Sequence, residues 1–146
     1  MARKSLLLSL ALILVGTLAL AHAGVKNPAV MARMESMVVL KDNIDALVKM
    51  VKGEAPFDRD GARARIATIA IHAAETPKLF EKEETDPKSE AFPVIWEQFD
   101  DFTVKSDALQ AEAASLSGSV ETEADLRTGL TRMGVACLAC HDVYRK

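Results

Sequence analysis

The chain has 146 residues, with 18 Lys and Arg against 21 Asp and Glu; this is a length for one domain. The acidic balance argues against nucleic acid as a partner, because a phosphate backbone repels it. The sequence holds only two cysteines, Cys137 and Cys140, within one short motif, which excludes a disulfide framework.

Residues 1–23 stand apart from the rest. Arg3 and Lys4 open the chain, Ser5 to Leu20 is almost wholly apolar, and Ala21-His22-Ala23 precedes Gly24. This is the layout of a secretory signal peptide cut before Gly24. The competing reading is an uncleaved anchor, but the apolar run is short for the ~20 residues a span needs. Cleavage leaves a domain over 24–146, exported to the periplasm and free of the membrane. The leader takes two cations and no anion, so 16 basic side chains face 21 acidic ones and the net charge is about −5. Such a surface suits basic patches on redox partner proteins.

Four helices follow. The first opens at Asn27-Pro28, a capping residue before a proline suited to the first helical position. Val30, Met34, Met37, Leu40, Ile44, Leu47 and Val51 recur at steps of three and four, and Gly53 closes the helix. The second begins near Asp58 or Asp60, buries Ala62, Ile66, Ile69, Ala70 and Ala73, and is expected to end near Glu75, before Pro77. Lys78 to Lys88 reads as a charged loop anchored at Leu79-Phe80. The third helix is expected from about Ser89, with Pro93 in its first turn, and Gly118 stops it. Thr122 opens the fourth, with Asp125 placed for a capping box. Its inner line is Leu126, Leu130, Met133, Cys137, Cys140 and Tyr144. No segment reads as a strand. The fold class is all-α: an antiparallel four-helix bundle.

Cys137-Leu138-Ala139-Cys140-His141 has the form C-x-x-C-H, the attachment motif of c-type haem. Two thiols add across two vinyl groups, and the adjacent imidazole falls under the iron. On a helix all three side chains share one face, and that face is the apolar line. The motif thus implies one covalent haem c, bound near the C-terminal helix, with His141 on the metal. A thioredoxin-type pair expects a βα setting. Zinc needs about four ligands, whereas the domain offers only His72 besides His141.

A haem motif at the end of an exported four-helix chain resembles the cytochrome c′ and cytochrome c-556 family. The likeness runs over 27–146. It is carried by Arg33 and Met37, by Lys52-Gly53-Glu54-Ala55-Pro56-Phe57-Asp58, by Pro93-Val94-Ile95-Trp96, and by Met133-Gly134 through Arg145. The resemblance implies that Arg33 pairs with a haem propionate and that Ser89 or Glu90 lies at the haem edge. It places Arg145 beside the proximal imidazole and Met37 over the other face of the iron, as a ligand or as packing. Met34 stands where relatives commonly carry Gln. Relatives often dimerise through their first two helices, so a homodimer is open here, with Val38, Val39 and Val48 facing outward.

No Ser/His/Asp set or phosphate loop is present, so an enzyme is not expected. Electron transfer is the leading expectation. The alternative is a five-coordinate iron that binds nitric oxide or carbon monoxide.

Overall fold

A computed structural model describes residues 24–146; the expected leader lies outside them. Five helices follow in order: α1 (Pro28–Val51), α2 (Arg59–Leu79), the single turn α3 (Val94–Glu97), α4 (Phe99–Ser119) and α5 (Glu123–Tyr144). The four long ones form the antiparallel bundle, and among the described residues there is no strand. α2 packs most extensively on α4, and α1 against α5 is the thinnest seam of the ring.

The helix starts follow their capping chemistry. The Asn27 side chain accepts from the N–H groups of Ala29 and Val30 at 2.8 and 3.2 Å. Thr122 and Asp125 close a reciprocal capping box at the start of α5, satisfying donors that have no partner within the helix. Gly53 leaves α1 in the left-handed region at φ 71°, which favours glycine.

Two boundaries differ from expectation. α2 does not stop near Glu75 but runs through Pro77 to Leu79. Proline lacks the N–H that would bond the carbonyl four residues back. That carbonyl, Ala73 O, instead accepts from the buried Ser106 hydroxyl of α4 at 2.8 Å, so the missing bond is replaced from a neighbouring helix. The third long helix does not begin at Ser89. Residues 89–92 are extended, α3 makes one turn, Gln98 breaks it at φ −126° and ψ 40°, and α4 starts at Phe99. Pro93 is the capping residue of α3 rather than part of a continuous helix.

The core has two parts. Leu47, Ile66, Ile69, Leu116, Leu126 and Met133 anchor the larger one, and Cys137 packs against its edge. Phe80, Phe102 and Tyr144 form a second, largely aromatic cluster with Ile95, and Cys140 packs against it. Met34, Met37, Leu40 and Ile44 are only half-buried, so the middle turns of α1 are less covered within the chain than its sequence stripe implies. Val38, Val39 and Val48, read as outward residues, are half-buried too.

Candidate haem site

Helix periodicity sets Cys137, Cys140 and His141 on the inner side of α5, three and four residues apart. All three are half-buried, and both cysteines are free thiols. Burial pushes the Cys137 thiol up, and pushes Cys140 up to about 11, with nearby Lys105 opposing. Among the described residues, no three His, Cys, Asp or Glu side chains gather to hold a metal. Burial, and then Arg145, lower the proton affinity of His141, with Asp142 and Glu90 opposing. The neutral imidazole, the form that binds metal, is thereby favoured. This donor set fits haem c: two thiols and one imidazole aligned along a half-buried helix face.

Three sequence-predicted residues meet at one place. Ser89, Glu90 and Arg145 come together where the 89–92 segment pairs with the C-terminus, one helical turn beyond His141. Arg145 donates its backbone N–H to His141 O at 3.1 Å and its Nε to Glu90 Oε2 at 2.7 Å. Ser89 O accepts from Lys146 Nζ at 3.0 Å.

Arg33 lies elsewhere. It is 3% exposed, and its Nε, Nη1 and Nη2 donate to the carbonyls of Leu79, Glu84 and Lys82 at 2.8, 2.7 and 2.6 Å. Its guanidinium carbon stands 4.5 Å from the Phe80 ring centre and 5.4 Å from that of Trp96. Desolvation lowers its proton affinity, and Glu84 opposes this. Three of five donors are thus spent on the last residue of α2 and the loop after it, which leaves one N–H on each terminal nitrogen. Met34 and Met37 follow Arg33 on α1 and are half-buried. His72 meets the buried Ser36 hydroxyl at 3.0 Å through Nδ1.

The sequence reading missed the role of the 78–88 connection, taken as solvated charge. Besides Arg33, the Asp86 carboxylate accepts from the backbone N–H groups of Lys26 and Asn27 at 2.8 and 3.1 Å, and Asn27 Nδ2 donates to Glu84 at 2.7 Å. An Arg on an otherwise apolar helix face was the available signal, since a buried guanidinium needs several acceptors. The Tyr144 hydroxyl, which donates to Asp101 at 2.5 Å, was missed as well.

A family model described as cytochrome C′ matches residues 28–145. Cytochrome c-556 of Agrobacterium fabrum is 35% identical over 104 residues, 70% of either chain. Cytochrome c′ from Rhodopseudomonas palustris superposes with a TM-score of 0.77 at 27% identity, covering 83% of this chain and 98% of its own. The nitric oxide complex of a cytochrome c prime variant from Alcaligenes xylosoxidans superposes at 0.72 with 28% identity, covering 81% and 94%.

Proposed function

This chain belongs to the cytochrome c′ family of haem c proteins, and on that premise we propose that it is an exported monohaem electron-transfer protein. The observation that carries this reading is the alignment of Cys137, Cys140 and His141 along one half-buried face of α5. The two thiols hold haem c by thioethers, and His141 ligates the iron. When bound, the haem supplies a one-electron ferric–ferrous couple tuned by ligands, burial and charge. The chain's residues fix it, shield it and set its charge environment. Arg33, through its two remaining N–H groups, serves a propionate, with Met34 beside it.

The exported location rests on the Arg3 to Ala23 pattern. No helix among the described residues is long and apolar enough to cross a membrane. Basic surfaces on redox proteins suit the acidic domain, and a homodimer through α1 and α2 follows the family resemblance.

A second reading, binding of nitric oxide or carbon monoxide, is favoured by the nitric oxide complex of the Alcaligenes xylosoxidans relative. Met37 decides between them. A ligating thioether gives a six-coordinate, low-spin iron that resists added ligands and suits electron transfer. A packed thioether leaves the position open. Electron transfer predicts a far-red sulfur-to-iron band in the oxidised protein that Met37→Ala abolishes, with conversion to high spin. High-spin spectra in both proteins would transfer the preference to gas binding.

A further inference from the structure

The C-terminal end of α5 carries a contact that haem attachment does not require. Arg145 stands one turn beyond His141, and its Nε and Nη2 lie 2.7 and 2.6 Å from the same Glu90 oxygen. Backbone pairing holds both partners. Ala91 and Arg145 form an isolated antiparallel bridge. Phe92 N–H donates to Tyr144 O at 2.9 Å, and Lys146 N–H donates to Glu90 O at 2.8 Å. The pair is therefore fixed from two segments of chain 55 residues apart.

Its side chains are 52% and 59% exposed, and an exposed ion pair contributes little stability. Its place beside His141 gives it another use. Arg145 follows His141 by one helical turn, its backbone N–H bonding His141 O at 3.1 Å, and it holds the Glu90 carboxylate at the same end of α5, so two opposite charges stand together near the imidazole. We propose that Glu90 is a positioning residue: it fixes and neutralises Arg145 beside the proximal imidazole, and so sets the balance between ferric and ferrous haem. The inference rests on His141 being the iron ligand. Loss of the carboxylate leaves an extra positive charge near the site, which disfavours ferric iron. Loss of the guanidinium does the opposite.

The test is a mediated redox titration of wild-type holoprotein, Glu90→Gln, Arg145→Gln and the double variant. Glu90→Gln shifts the midpoint to higher potential, Arg145→Gln shifts it lower, and the double variant returns close to wild type. Both single shifts shrink as salt is raised. Amide exchange at Phe92 and Lys146 remains slow in Glu90→Gln if charge, and not fraying, is the cause. Single shifts in the same direction, or no shift, would overturn the proposal, as would accelerated exchange that accounts for the change. The underlying reading is checked separately. A spectral signature of histidine ligation that His141→Ala leaves intact would refute His141 as ligand, whatever the potentials do.

Discussion

Cys137→Ser combined with Cys140→Ser is expected to leave any haem removable by acid–acetone and to lower and broaden the thermal unfolding transition. The thiols are the only covalent anchors the sequence offers. On the proposed reading the cofactor would add apolar contact to side chains that the chain alone leaves half-covered: Met34, Met37, Leu40 and Ile44 on α1, with Leu130 on α5. Burial contributes about 25 cal/mol per Å² of apolar surface, and a group bound only by the native state stabilises that state. Helix content is expected to survive, because the larger core of Leu47, Ile66, Ile69, Leu126 and Met133 closes within the polypeptide. Circular dichroism through a thermal ramp reads both quantities. A transition as sharp and as high as that of wild-type holoprotein would show that haem is not part of the stabilising core.

Gly129→Val is expected to destabilise the bundle by about 3 kcal/mol, at the upper end of ordinary overpacking. For a domain of this size that is a fall in Tm of about 10 °C. A Cβ at position 129 would stand 2.6 Å from Leu116 Cδ1, 2.9 Å from its Cγ and closer still to Cδ2. Leu116 is 3% exposed, so its side chain must be driven out toward the cleft it shares with Ser119, Asp125, Thr128 and Arg132, or α4 and α5 must separate. Glycine in a helix ordinarily costs about 1 kcal/mol against alanine; here close helix approach outweighs that cost. Position 129 is two turns before Cys137, and separation there also disturbs the haem-bearing face. Urea or thermal denaturation measures the loss. A variant as stable as wild type would mean that the α4–α5 seam tolerates expansion.

The bundle was readable because its signals are local. Stripes at three- and four-residue spacing, Asn27 and Thr122 as caps and Gly53 as a stop depend on few tertiary partners. The attachment motif was readable for the same reason: five consecutive residues carry two anchors and a ligand. The misplaced boundaries depend on distant groups. Pro77 is an ordinary helix terminator unless Ser106, 29 positions on, supplies the missing donor to Ala73 O. Ser89 to Phe92 have no periodicity that distinguishes a helix from an extended segment paired with residues at the far end of the chain. Arg33 was identified as special, yet its acceptors at 79, 82 and 84 are backbone carbonyls, which no side-chain pattern reveals. The Glu90–Arg145 pair joins two residues each singled out by resemblance, but their contact needed the folded chain.

The most direct measurement is the intact mass of the purified mature protein, produced with haem-attachment machinery in an exported compartment and then denatured and extracted with acid–acetone. The expected result is the mass of a chain beginning at Gly24 plus one haem, with the colour remaining on the protein. A chain that emerges at its bare polypeptide mass, with the haem in the acetone phase, would contradict it.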